Sequence, residues 1–257
     1  MLKFASLGSG SKGNATLVQS GNTLLLIDNG FSLKETEKRL ASFGKQADEI
    51  DAILVTHEHG DHVAGVGRLA KKYNIPVWLT EGTRKAAEKT LTDLPSLKIF
   101  NNHEFFSIDA IQIEPVTVPH DAREPSQFIF SNGDQRLGLL TDTGSITPHI
   151  ISLYDHCDAL ILESNHDDQM LAQSVYPQHL KYRISGRLGH LGNHQAAELL
   201  TKVNTNKLKH IIAAHLSEQN NCTARVKSVL AAALGCEESW IEIADQENGF
   251  VWRDCSD

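Results

Sequence analysis

The apolar run Ala52-Ile53-Leu54-Val55 leads directly into Thr56-His57-Glu58-His59-Gly60-Asp61-His62. A short apolar run bounded by polar residues reads as a buried strand. Three imidazoles and a carboxylate crowded just beyond it are the donors that divalent zinc-like ions take. A loop at the end of a strand is also where a rigid scaffold presents chemistry. His57 and His59 are two residues apart in an extended loop and can face one ion. Asp61 and His62 fall where the helical pattern Val63–Tyr73 begins, and there they can reach a second. A two-ion site needs further ligands, and these belong at other strand ends.

Such positions exist. His120 follows a strand-like run that ends at Pro119, Asp142 ends the run Arg136–Thr141, and His215 ends His210–Ala214. A carboxylate such as Asp142 can bridge two ions. The remaining strand-like runs are Phe4–Leu7, Thr16–Gln19, Thr23–Ile27, Pro76–Leu79, Ile111–Val116, Gln127–Phe130, Ala159–Leu162 and Trp240–Ile243. Helical patterns cover Leu33–Phe43, Val63–Tyr73, Thr83–Leu91, Gln195–Val203 and Thr223–Leu234. Strands come first as a meander and later alternate with helices. That order predicts an α/β fold with two sheets face to face and helices outside, in four layers. No linker or repeat divides the chain, so one domain is expected over residues 1–257.

Gly8-Ser9-Gly10-Ser11-Lys12-Gly13 satisfies the glycine spacing of a dinucleotide fingerprint. That fingerprint requires a helix after the glycines, because the helix N-terminus binds the pyrophosphate. Here the β-branched, alternating stretch Asn14–Ser20 follows, so the segment reads as a connection between two strands of a meander.

Charge is unevenly distributed. Tyr176–Ser228 holds eight basic and two acidic residues, a net +6 in a chain of −8, so the remainder carries −14. A solvated helical face is the plain reading of that segment; a basic rim suited to a phosphate-bearing substrate is the functional one. No apolar run approaches membrane-spanning length, no signal peptide is evident, and Cys157, Cys222, Cys236 and Cys255 form no close pair. A cytoplasmic protein that meets no membrane is expected.

THEHGDH, with HDA at His120, LTDTG at Asp142 and HLS at His215, resembles the metallo-β-lactamase superfamily over nearly the whole chain. GSGSKGNAT (Gly8–Thr16), ESNHD (Glu163–Asp167), GHLGN (Gly189–Asn193) and HLSEQNN (His215–Asn221) are similar to its YycJ/WalJ-like exonuclease branch. The resemblance implies the metallo-β-lactamase fold and two divalent metal ions, zinc or manganese with iron an option. His57, His59 and His120 would hold one ion, Asp61, His62 and His215 the other, and Asp142 would bridge them. It further implies a DNA exonuclease that uses a metal-bridging hydroxide as nucleophile, with nucleic acid or another phosphodiester as substrate. Gly192 stands where a serine is expected.

Within that frame Asp61 is expected to orient the attacking water as well as to bind metal, and His190 to supply a proton to the leaving oxygen. His166, Gly189 and Asn193 are expected substrate contacts. Asp28, at the end of a strand, is expected to brace the His loop from behind. The alternatives are other hydrolases on the same scaffold: an RNA-processing nuclease, a small-molecule phosphodiesterase, a glyoxalase II-like thioesterase or a lactonase. A flavodiiron-type oxidoreductase would carry a carboxylate in place of His59 and a flavodoxin-like domain after it, and a catalytically dead binding module would have lost ligands. Oligomeric state, the native metal, and the choice between DNA and RNA are left open by the residues.

Overall fold

The computed structural model describes all 257 residues. Its first half runs β1 (Leu2–Gly8), β2 (Ala15–Ser20), β3 (Thr23–Ile27), α1 (Leu33–Ser42), β4 (Ala52–Leu54), α2 (Gly60–Val63), α3 (Val66–Tyr73), β5 (Val77–Leu79), α4 (Glu81–Ala86) and β6 (Leu97–Ile99). The second half runs β7 (Phe106–Ile108), β8 (Ile111–Thr117), β9 (Ser126–Ser131), β10 (Arg136–Leu140), α5 (Pro148–Leu153), β11 (Ala159–Glu163), α6 (Asp168–Gln173), α7 (Gln178–Ile184), α8 (Asn193–Lys202), β12 (His210–Ala214), α9 (Thr223–Leu234), β13 (Ile241–Ile243) and β14 (Phe250–Asp254).

The strands form two seven-stranded sheets, in the orders β14-β1-β2-β3-β4-β5-β6 and β13-β12-β11-β10-β9-β8-β7. In the first sheet the pairs from β14 to β3 are antiparallel and those from β3 to β6 parallel. The second repeats the scheme, antiparallel from β7 to β10 and parallel from β10 to β13. Side chains alternate across each strand. Leu25 and Ile27 of β3 therefore enter the core between the sheets, while Leu24 and Leu26 pack against the helices outside. In β11, Ala159 and Ile161 face the other sheet, and Leu160 and Leu162 face the helices. Three apolar layers thus separate four layers of structure, as expected. Strands with both faces covered read as continuous apolar runs, which is why LLLI and ALIL are recognisable.

Several boundaries move. The helix expected over Val63–Tyr73 begins only at Val66, as α3, and a separate short helix α2 over Gly60–Val63 precedes it, because the chain after β3 crosses at the break. A Cβ on Gly65 would stand 1.9 Å from the carbonyl oxygen of Phe31. Asp61 and His62 consequently lie inside α2 and not at the start of the longer helix. The Thr83–Leu91 helix is shorter and earlier: Thr80 accepts from the Thr83 amide, and the chain leaves helix after Ala86. Strands β6, β7 and β14 and helices α5, α6 and α7 have no counterpart in the sequence patterns. β6 and β7 are three-residue edge strands, and α7 has no buried residue to create a periodic apolar stripe.

Candidate metal centre

The parallel strands of both sheets end at one edge of the sandwich, and the expected ligands follow those ends. Asp28 follows β3, His57 and His59 follow β4, Asp142 follows β10, and His215 follows β12. Asp28, Asp142 and His215 have φ of 58°, 52° and 55°. Each left-handed residue that is not glycine costs about 1–3 kcal/mol. Against that, each fully buried Leu, Ile or Phe beneath them contributes about 1.5–3 kcal/mol, so the frame can hold the turns that aim these side chains.

Two donor groups result. His57 Nε2 lies 3.0 Å from His59 Nδ1, which lies 3.2 Å from His120 Nε2. Three nitrogens of a tetrahedral zinc stand roughly 3.3 Å apart at ordinary Zn–N lengths, so this triad has the dimensions of a coordination face. In the second group Asp61 Oδ2 lies 3.5 Å from His62 Nε2 and 3.6 Å from His215 Nε2. Asp142 sits between the groups. Its Oδ2 is 3.2 Å from His62 Nε2, and it also falls within coordinating reach of His57. Asp142 Oδ2 and His215 Nε2 are buried without a hydrogen-bond partner. Buried polar atoms are ordinarily paired, and these two point into a cluster of His and Asp donors. Histidine and carboxylate donors so spaced are those of a divalent-metal centre.

Neighbouring groups orient the imidazoles. The Asp28 carboxylate accepts from the Thr56 amide at 2.8 Å, the Thr56 hydroxyl at 2.7 Å and His62 Nδ1 at 2.8 Å. Thr56 Oγ1 is in turn 2.9 Å from His57 Nδ1. His120 Nδ1 donates to the Gly189 carbonyl at 2.9 Å. Each contact turns the other ring nitrogen toward the cluster, where His62 Nε2 also lies 3.1 Å from Asn14 Nδ2.

Burial and charge oppose each other here. Burial alone depresses His215, but the Asp142 charge and the neighbouring Asp61 and Glu163 carboxylates raise its pKa to about 10. His62 is likewise raised above the usual range by Asp142 and Asp28 against the effect of burial. His57 goes the other way, held neutral by burial and by the neighbouring His62.

Two sets of residues at the centre lie in segments recognisable in the sequence, ESNHD and GSGSKGNAT, from which no role for them was read. Glu163, the last residue of β11, is fully buried. Its Oε1 accepts from His190 Nδ1 at 2.7 Å and lies 3.2 Å from His215 Nδ1. Its Oε2 accepts from the amides of Thr143 at 2.8 Å and Leu191 at 3.2 Å. Asp142, Glu163, His190 and His215 also lie close enough to share an ion, but both Glu163 oxygens are already engaged by N–H donors, so the carboxylate is placed to orient His190 and His215. The second set lies in the glycine-rich loop between β1 and β2. Ser9 Oγ accepts from the His215 amide at 2.9 Å, and Asn14 Nδ2 is 3.4 Å from Asp61 Oδ2. The loop is a strand connection, as read, and it also walls the second donor group.

His190 stands among the donors, its ring centroid 5.2 Å from those of both His120 and His215. Its side chain is 21% exposed, and its Nε2 has no partner. The three expected substrate contacts, Gly189, Asn193 and His166, are all buried. Gly189 is buried, where a Cβ would strike the Arg183 carbonyl oxygen at 2.1 Å, and its own carbonyl holds His120. Asn193 is buried and exchanges amide hydrogen bonds with Asn221 at 3.0 and 2.9 Å. His166 is buried beneath Gly192, where a Cβ would come within 3.2 Å of its Nε2. His166 and Asn193 are covered because the start of α8 packs directly on the loop after β11, the Asn193 amide donating to the His166 carbonyl at 2.9 Å.

The basic segment is also divided. Arg183 reaches the centre through Asp121, 2.7 Å away, and Lys181 and Arg187 lie on or just after the same helix, whereas Lys207 and Lys209 precede β12, at the strand end opposite His215. Arg225 is paired with Asp167 at 2.6 Å.

Two facing mixed sheets between helices, with His and Asp donors gathered at the strand ends, define a metallohydrolase of the metallo-β-lactamase type. Residues 23–215 match the Beta-lactamase superfamily domain. The chain is 39% identical over 222 residues to the exodeoxyribonuclease YycJ of Bacillus anthracis, covering 86% of this chain and 84% of that one. It is 36% identical over 223 residues to the exodeoxyribonuclease WalJ of Streptococcus pneumoniae, covering 85% and 83%. Among solved structures, the metallo-β-lactamase fold protein YhfI from Bacillus subtilis superposes with a TM-score of 0.76 at 16% identity, covering 99% of this chain and 100% of that one. The chain belongs to the β-lactamase superfamily, in the family that holds the exodeoxyribonucleases YycJ and WalJ. No helix is long and apolar enough to cross a membrane.

Proposed function

We propose that the protein is a dinuclear metal-dependent phosphodiesterase that removes nucleotides from DNA. The observation that carries this reading is the placement of Asp142 between two complete donor groups, beside a carboxylate-held histidine whose Nε2 is free. His57, His59 and His120 would hold one ion, and Asp61, His62 and His215 the other, with Asp142 reaching both. When bound, such ions supply positive charge to the phosphoryl oxygens and a water acidic enough to attack at neutral pH. Zinc, manganese and iron all suit this donor set.

The chain's own groups complete the reaction. Asp61 orients the attacking water through Oδ1, which makes no other hydrogen bond. His190, its Nδ1 held by Glu163, donates the Nε2 proton to the departing alkoxide. The Glu163 charge raises the His190 pKa against the effect of burial, so the ring carries that proton near neutrality. The stretch from Ser174 to Ala197 beside the centre carries Lys181, Arg183 and Arg187 and no acidic residue, which suits a phosphate-bearing substrate.

End-labelled single- and double-stranded DNA, RNA and bis(nitrophenyl) phosphate, each incubated with the zinc- and manganese-loaded protein, test the reading. Mononucleotide release from DNA is expected, with loss of activity under a strong chelator and recovery on adding metal. Full activity under the chelator, or turnover of thioesters alone, would overturn it.

Metal uptake is expected to release protons. The Asp142 and Asp28 charges hold the His62 pKa above the usual imidazole range, and Asp142 with Asp61 and Glu163 does the same for His215, whereas ligation requires the neutral ring. Their raised pKa values mean that affinity climbs from pH 6 toward the region of 10 where His215 loses its proton. Calorimetric titration in two buffers of different ionisation enthalpy reads the release; equal heats in both would contradict it.

A further inference from the structure

We propose that α7 and the loop after it bind the unpaired DNA strand next to the scissile phosphodiester, with Tyr182 stacking on a base and Arg183 and Arg187 contacting phosphates. The proposal rests on the nuclease reading and adds to it the path of the substrate.

Three observations converge on this face. The first is attachment. Arg183 Nε bonds Asp121 Oδ2 at 2.7 Å, and Asp121 Oδ1 lies 3.7 Å from His59 Nε2 and 3.6 Å from His120 Nε2. The Asp121 amide donates to the Leu188 carbonyl at 2.9 Å. The loop folds back under the last turn of α7, since the amide of His190 donates to the Ile184 carbonyl at 2.8 Å. Arg183 therefore flanks the metal centre, and the exposed Arg187 lies in the loop that joins α7 to His190, its carbonyl accepting from Ser145 Oγ at 3.2 Å.

The second is charge. No acidic residue occurs from Ser174 to Ala197, while Lys181, Arg183 and Arg187 do, in a chain of net charge −8. Arg187 makes no ion pair. The pair made by Arg183 is with a side chain 29% exposed, and its own is 60% exposed. Exposed pairs contribute little, so a phosphate can share this guanidinium at small cost.

The third is apolar exposure. Seven large hydrophobic side chains are exposed, and Val175, Tyr182 and Leu188 are three of them, with Tyr182 at 69%. α7 buries no residue against the fold, so packing does not explain an aromatic side chain there. Aromatic rings interleaved with cations are how single-stranded nucleic acid is held without sequence preference.

Anisotropy of a fluorescent single-stranded oligonucleotide with metal-depleted protein, alongside steady-state kinetics on DNA and bis(nitrophenyl) phosphate, tests the face. Tyr182→Ala is expected to weaken binding and raise KM for DNA by about 5- to 100-fold, the effect of losing one stacked base, and Tyr182→Phe to restore both. Arg187→Ala is expected to lower the salt slope of log affinity by about 0.7, one phosphate contact on a single strand. The loss in kcat/KM should be at least several-fold larger for DNA than for the diester. Unaltered binding, KM and salt slope in both variants overturn the proposal. So does a change of oligomeric state in Tyr182→Ala, which would assign the face to a second copy of the chain. Wild-type protein that binds the oligonucleotide yet releases no nucleotide overturns the nuclease reading alone. Wild-type protein that neither binds nor cleaves overturns both.

Discussion

Asp142→Asn is expected to leave a folded protein that holds less metal and hydrolyses no phosphodiester at a measurable rate. The substitution is nearly isosteric, and asparagine tolerates the left-handed backbone at φ 52° where alanine would add strain. What changes is charge and donor capacity. The native carboxylate presents Oδ1 at 3.1 Å from His215 Nδ1 and Oδ2 at 3.2 Å from His62 Nε2. A carboxamide has one acceptor oxygen, and its NH2 group faces donors where Oδ2 now lies. Removing a group that only orients a ligand lowers metal affinity by about 10- to 100-fold. A side chain that touches both donor sets must exceed that range, so activity should fall more than about 100-fold at saturating metal. Metal content by atomic emission and initial rates on DNA check it. Wild-type activity with full metal content would remove Asp142 from the centre.

The parts of this molecule that the sequence discloses are those governed by short-range rules. Leu24–Ile27 and Ala159–Leu162 are apolar on both faces because helices cover one side of each sheet and the facing sheet covers the other. His57, His59, Asp61 and His62 are recognisable because their spacing is local, and His120, Asp142 and His215 because each follows a strand-like run. Glu163 escaped although a sign was present: a carboxylate closing the apolar run ALIL has to be paired inside the protein. Nothing local, however, joins it to His190, 27 residues later. Ser9 and Asn14 lay in a segment correctly recognised as a turn, and their contacts to His215 and Asp61 depend on the first sheet delivering that turn to the second. The basic segment failed as a unit because β12 carries Lys207 and Lys209 to the opposite end from His215. Composition adds charges along the chain; topology decides which of them share a surface.

His190 separates proton delivery from metal binding, and the nature of the leaving group exposes the difference. His190→Ala is expected to lower kcat on DNA by about 10²- to 10⁴-fold, the usual worth of a placed general acid, with metal content unchanged. On bis(nitrophenyl) phosphate the same variant should lose far less, because a nitrophenolate departs without a proton whereas a sugar alkoxide does not. Glu163→Gln should show the same split between substrates, and because Glu163 Oε1 also lies 3.2 Å from His215 Nδ1, it should in addition lower metal affinity by about 10- to 100-fold. The native carboxylate accepts from His190 Nδ1 at 2.7 Å and from two backbone amides. Glutamine offers one oxygen for these donors, so either the backbone contacts or the grip on His190 is given up. Burial opposes ionisation of Glu163, but the His190 charge and hydrogen bonds from His190 and His215 hold its pKa at about 2, so the pair functions as carboxylate and imidazolium. Its loss acts through kcat, while loss of the α7 face acts through KM and salt dependence. Equal losses on both substrates, or departure of metal from His190→Ala, would make His190 a structural support and leave the alkoxide without its proton donor.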